Sequence, residues 1–321
     1  MYFVLICDTV YELQGDDDVN LFEKLAQERK PVKIIHGTDW WTDCDDVAAL
    51  RLLCRAHKAG AIELLCVGAD GVMEKTAASL DAFMLDSGVQ VPIGLDKSFS
   101  RDASRCKYQH VLAEYPHRIE NADCDDAYRV YRRALAELDG KADITEVGFP
   151  QVIHQLMLSG PDDISPLSGM DLVRQKVNKI WMMAGKWDEE NGREYNIYCT
   201  EAGCKAAKYI FENSPVPVTC LGWEIGNTVI TGGKAKKDDL LKIAFNVHGS
   251  HDGRCSWDPM LTLLAIINDE ERAGYEKVCG QAFVNTETGE NNFTEGDGSC
   301  AYVVKKFDDE FYSDMIDELI D

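Results

Sequence analysis

Residues 37–50 read GTDWWTDCDDVAAL and place Asp39, Asp43, Asp45 and Asp46 within eight positions. Trp40 and Trp41 stand among them, and an apolar, helix-like run follows at once. Carboxylates held this close repel each other and raise one another's pKa values. A hard divalent cation resolves that conflict, because Ca2+ and Mg2+ take oxygen ligands. A helix N-terminus also favours acidic residues through its dipole and free amides, so one or two of the four could be caps. Capping does not require four. The local pattern leaves two readings open, a metal site and a solvated acidic loop.

Other residues of similar promise lie far away in the chain. Asp258 precedes Pro259 in RCSWDPMLTLLAIIN, at what reads as the first turn of a long apolar helix. Taken alone, it is sufficiently explained as a helix cap. In GREYNIY, Glu194 and Asn196 are two apart. On an extended segment they would point the same way and could grip a polyhydroxyl ligand. Asp8 closes the apolar run VLICDTV, where a phosphohydrolase of the haloacid-dehalogenase kind would carry D-x-D, but Val10 stands in place of the second aspartate.

These side chains must be held by a frame, and the apolar pattern suggests one. Short β-forming runs at 32–36, 62–68, 144–148, 179–184 and 216–221 alternate with helical stretches at 45–57, 74–85, 126–138, 202–213 and 237–245. Such alternation predicts an α/β fold, a mostly parallel open sheet flanked by helices. A single domain over residues 31–321 follows, with residues 1–30 as an N-terminal extension. In open parallel sheets, ligands sit at the carboxyl ends of the strands. The acidic loop directly follows the first core strand, VKIIH.

Composition narrows the partners. The chain has 321 residues and a formal net charge of −23. That disfavours nucleic-acid backbones and anionic membranes, which need clustered Lys and Arg. No apolar stretch reaches the length of a membrane span, and the N-terminus lacks a basic signal region. Asp16 to Asp18, Asp188 to Glu190 and the acidic C-terminus read as solvated charge. The twelve cysteines include no C-x-x-C, so free thiols in a reducing cytoplasm are expected.

Together the motifs resemble the inosine-uridine preferring nucleoside hydrolase family. G-T-D-W-W-T-D-C-D-D-V-A-A-L is similar to the family's longer D-T-D-I-G-T-D-V-D-D-A-L-A-L loop. W-D-P-M-L-T-L-L-A-I resembles its H/W-D-P-L-A-V-x-Y-A-I helix start, and R-E-Y-N-I-Y its E-F-N segment. K-V-N-K-I-W-M-M-A-G and G-F-P-Q-V-I-H-Q match two further segments, in family order from about residue 32 onwards. The resemblance implies Ca2+-dependent hydrolysis of a nucleoside N-glycosidic bond, a role in base salvage, and a homodimer or homotetramer. By position, Asp39 would be a calcium ligand and the base that takes a proton from water. Asp46, Asp258 and the backbone carbonyl of Gln151 would be further ligands. Asp45, Glu194, Asn196 and Trp257 would contact the substrate, and Asp70 would lie near the water.

The departures from the pattern are specific. Gly37 replaces the leading aspartate, and Trp40 and Trp41 replace a P/I-G pair. Trp41 either stacks on a base or packs beneath the loop. Trp257 stands where some members carry a leaving-group histidine, and His251 either supplies that acid or is an ordinary loop residue. Asp43 takes one of the aspartate roles if the loop's extra residues lie elsewhere. These changes motivate an alternative, a member that binds metal and a ribosyl ligand without efficient turnover.

Overall fold

The computed structural model describes residues 19–98, 100–235 and 239–321. Asp8 and the acidic run at 16–18 lie outside the described residues. In chain order the strands are β1 (Val32–Thr38), β2 (Ile62–Ala69), β3 (Ile93–Leu95), β4 (Asp125–Asp126), β5 (Ala142–Glu146) and β6 (Val177–Met183). They continue with β7 (Val218–Leu221), β8 (Ile230–Thr231), β9 (Arg254–Cys255), β10 (Tyr275–Val284), β11 (Asn291–Glu295) and β12 (Cys300–Lys305). Ten of these form one sheet in the order β11-β10-β12-β7-β6-β5-β1-β2-β3-β4, while β8 pairs with β9 alone. Every pairing from β12 across to β4 is parallel; β10 runs antiparallel to both β11 and β12. The α/β fold with a mostly parallel open sheet is therefore the one the apolar alternation predicts.

The sheet buries both faces. Its central strands read as continuous apolar runs because helices cover each side, and two hydrophobic clusters fill the two interfaces. The helix Leu21–Glu28 joins one of them, with Leu21, Phe22 and Leu25 buried. Arg29 ties its end to the rest of the chain by donating to the carbonyls of Ile266 and Ile267. Among the described residues, no helix is long and apolar enough to cross a membrane. The described cysteines are all free thiols, most of them buried.

Strand order reverses around β1, which lies between β5 and β2. This is the switch point at which open α/β sheets leave a crevice. Two helices then fix what enters it. The helix Asp45–Ala59 starts directly after the acidic loop and ends at Gly60, whose φ of 82° is the left-handed cap that glycine adopts freely. The helix Trp257–Ile267 is buried from Asp258 to Ile267 and packs along Asp45–Ala59. Their first turns meet, which joins two acidic segments more than two hundred residues apart in sequence.

The structure corrects one local expectation. Glu194 and Asn196 are not on an extended segment: Glu194 caps the short helix Tyr195–Tyr198, in which Asn196 lies. The turn chemistry wins because the Glu194 carboxylate accepts the amides of Asn196 and Ile197, satisfying donors that the helix start leaves free. The antiparallel strands β10 to β12 also lie beyond the five runs seen in the sequence. β10 has a half-exposed pattern instead of one apolar block.

The packing of the two long helices carries the site's geometry. Leu261 faces that packing and is fully buried. Leu261→Ala should cost roughly 2–5 kcal/mol, read as a lower urea midpoint with an unchanged slope.

Candidate functional site

β1 delivers the acidic loop to the crevice. Asp45, Asp46 and Asp258 each point a carboxylate oxygen to one place, with those oxygens all within 4.8 Å of one another. All three side chains are buried. Asp46 accepts from the Thr38 hydroxyl and, at 3.2 Å, from the Trp40 amide. Asp45 accepts the Asp258 amide at 3.1 Å. Asp39, also buried, abuts Asp46 and accepts the Trp41 amide at 3.0 Å.

Burial, then mutual repulsion, pushes Asp45, Asp46 and Asp258 well above the ordinary carboxylate range. Asp39 rises to about 6, chiefly through burial, with the Trp41 amide and Arg101 holding it down. Three converging, under-neutralised carboxylates form an all-oxygen donor set, and that set fits a hard divalent cation. The dipoles of the two helix starts and a few amides offset only part of the charge.

Asp43 is not in this triad. Arg254, on β9, grips it in a fork, with Nε 2.7 and 2.9 Å from its two oxygens and Nη2 2.5 Å from Oδ2. An arginine-paired carboxylate is already neutralised. Asp43, Cys44 and His248 also lie close together. Burial raises the Cys44 thiol, and both His248 nitrogens are engaged, by Ser250 and by the Thr42 carbonyl.

The two tryptophans serve the loop instead of the ligand. Trp40 has a φ of 45°, the left-handed region where a β-carbon is strained. It is fully buried, packs on Phe83 and Tyr108, and donates its indole N–H to Ser79 at 2.9 Å. Trp41 is buried against Phe149, donates to the Asp102 carbonyl at 3.0 Å, and carries Arg105 over its face. It is not among the residues that line the cleft, and its ring packs beneath the loop.

Gly37 has an equally concrete explanation. It pairs directly with Glu146 of β5, and a β-carbon at 37 would lie 2.3 and 2.5 Å from the Glu146 carboxylate oxygens. The glycine leaves room for a neighbour's acid. Glu146 is fully buried, accepts the Gly148 amide at 3.2 Å, and abuts Asp70. Asp70 in turn accepts the Phe149 amide at 2.9 Å. Burial raises Glu146 to about 8, and burial followed by the charge of Glu146 raises Asp70 well above its usual range.

The remaining expected residues divide clearly. Glu194 and Asn196 line the same cleft as the aspartates. The Asn196 amide nitrogen donates to the carbonyls of Val147 and Met183, at 3.0 and 3.1 Å, which leaves its oxygen as an acceptor. Burial raises Glu194 to about 7 against the pull of the Asn196, Gly185 and Ile197 amides. Trp257 lines the cleft and stacks on Trp223, with ring centres 6.4 Å apart. Gln151 does not line it: the residue sits buried at the first turn of helix Gln151–Leu158, and Val147 is the part of that segment exposed to the cleft. His251 is exposed and beside Asp252, away from the cleft. Asp70 lies behind the cleft wall, on the Glu146 side.

Arg254, Glu146 and Arg105 escaped the sequence reading. The first two had a signal: a charge just before W-D-P, and an acid at the carboxyl end of a short core strand. Arg105 reaches the cleft from a loop and donates to the Tyr195 hydroxyl at 2.8 Å.

The raised carboxyls have a thermodynamic signature. Each folded pKa lies above its unfolded value, so the folded chain binds more protons and stability falls as pH rises. Buried His36, held down to about 3, opposes this only below its unfolded value of 6.5. From about pH 6.5 to about pH 8 the melting temperature of chelator-treated protein should therefore fall. Ca2+ should raise the curve and flatten it, as differential scanning fluorimetry would show.

No protein-family model matches the chain, and no curated protein matches it in sequence. Solved structures do match in shape. An inosine-uridine preferring nucleoside hydrolase from Bacillus anthracis has a TM-score of 0.69 at 14% identity, covering 90% of this chain and 99% of that one. A purine-preferring ribonucleoside hydrolase from Gardnerella vaginalis has 0.65 at 16%, covering 90% and 98%. The type III effector protein XopQ, complexed with adenosine diphosphate ribose, has 0.66 at 14%, covering 93% and 96%. The fold of this chain is the fold of these solved structures, two of them nucleoside hydrolases.

Proposed function

We propose that the protein is a Ca2+-dependent hydrolase of the N-glycosidic bond of ribonucleosides, releasing ribose and free base. The observation that carries this reading is the meeting of Asp45, Asp46 and Asp258 beside Asp39, with Glu194 and Asn196 lining the same cleft. Asp46 and Asp258 would hold the ion together with Asp39. Bound calcium supplies a positive charge that lowers the pKa of water and orients ribose hydroxyls.

The chain's own groups account for the rest. Asp39, raised to about 6, takes the proton of the attacking water near neutral pH. Asp45, Glu194 and the Asn196 oxygen are all acceptors, so they select ligands rich in hydroxyl donors. Glycosidic cleavage develops positive charge on the sugar, and surrounding carboxylates stabilise it. Trp223 and Trp257 offer a flat apolar wall for a planar base.

A panel of inosine, uridine, adenosine and ADP-ribose, assayed for free base or nucleotide release with and without chelator, tests this directly. ADP-ribose belongs in it because one structural neighbour is complexed with that ligand. Release from a ribonucleoside should stop on chelation and fall on the order of 10³-fold in Asp39→Ala. No release from any of them with Ca2+ present would remove the proposal. A 2′-deoxynucleoside should react at least about 10²-fold more slowly, because it strands an acceptor built for a hydroxyl.

A further inference from the structure

We propose that Glu146 is the positioning residue of Asp39, supplying from β5 the carboxylate that position 37 of β1 lacks. The proposal rests on Asp39 acting as ligand and base. It is carried by four contacts. Gly37 and Glu146 are direct partners across the β1–β5 ladder, and the glutamate's oxygens occupy the volume a side chain at 37 would fill. Glu146 Oε1 accepts the Gly148 amide. Gly148 in turn lies flat on the Asp39 backbone: a β-carbon there would be 2.3 Å from the Asp39 nitrogen. The Val147 amide donates to the Gly37 carbonyl at 3.0 Å, closing the circuit.

The turn at 147–149 is thus held by two acids. Glu146 takes the amide of Gly148 and Asp70 that of Phe149, while Asp70 anchors itself by donating its own amide to the Thr38 carbonyl at 3.0 Å. The arrangement packs against the Thr38–Asp39 peptide, and the same turn presents Val147 to the cleft. A fully buried acid with Oε2 lacking any donor is a costly way to hold one amide. Stability alone does not call for it, since an apolar residue would fill the space without that cost. The arrangement makes sense when the position of Asp39 is what matters.

Three variants test it: Glu146→Ala, Glu146→Gln, and Gly37→Asp in the Glu146→Ala background. The last returns a carboxylate to the same volume from the other strand. Two readouts are taken, steady-state nucleoside cleavage and the affinity for Ca2+ alone by calorimetry, with melting temperature alongside. Glu146→Ala should lower kcat 30-fold or more, move KM less than threefold, and weaken Ca2+ binding tenfold, without lowering the melting temperature. Glu146→Gln keeps an acceptor for the Gly148 amide and should lose less in both readouts. The double variant should regain at least tenfold in kcat and most of the Ca2+ affinity. Unchanged Ca2+ affinity in Glu146→Ala, a melting temperature that falls in step with activity, or no recovery in the double variant would each overturn the proposal. If the wild type cleaves no nucleoside, the functional reading fails, and the Ca2+ affinities still decide the role of Glu146.

Discussion

The structure turns on buried negative charge at the carboxyl end of β1. Asp39, Asp45, Asp46 and Asp258 are gathered where water is largely excluded. Burial alone penalises each charge, and each neighbour adds to the penalty. The fold offsets part of this with what it has: two helix starts, the Trp40 and Trp41 amides, the Thr38 hydroxyl, and an arginine reserved for Asp43. What is left over is a cluster of buried, under-neutralised oxygen donors that fits a hard cation. Sheet order, helix packing and loop conformation all serve to bring those groups to the same point.

That constraint was legible in the sequence because it is local in kind. Strand-helix alternation follows from which faces are buried, so the parallel sheet and the carboxyl-end site could be read from periodicity. Asp39, Asp45 and Asp46 stood out by type and spacing, whereas Asp258, locally no more than a helix cap, was singled out by the resemblance of its W-D-P motif. Glu194 and Asn196 were found for a partly wrong reason: they reach the cleft through a capped helical turn, not along an extended strand. The strand β10 was missed because its half-exposed pattern lacks the apolar block that marks the central strands.

What the sequence hid is compensation between strands. A motif read along β1 sees only that Gly37 lacks a carboxylate. The Glu146 carboxylate above it arrives from β5, more than a hundred positions later. Likewise, Trp40 sits where backbone conformation favours glycine, and the cost of its φ of 45° is offset by a deeply packed indole with a satisfied N–H. Such a strained non-glycine residue costs on the order of 1–3 kcal/mol and persists only where its surroundings over-determine it. At 14% identity, the chain shares its shape with a solved structure over 90% of its length.

The central claim is that a hard cation binds among these aspartates, held by Asp39, Asp46 and Asp258. Calcium calorimetry on chelator-treated protein, run near neutral pH in two buffers of different ionisation enthalpy, tests it most directly. Because the ligands sit above their ordinary pKa values, binding must displace protons. The account predicts one Ca2+ per chain with net proton release, and loss of both signals in Asp258→Asn. Saturable binding that releases no protons, binding unaffected by Asp258→Asn, or no binding at all would contradict it.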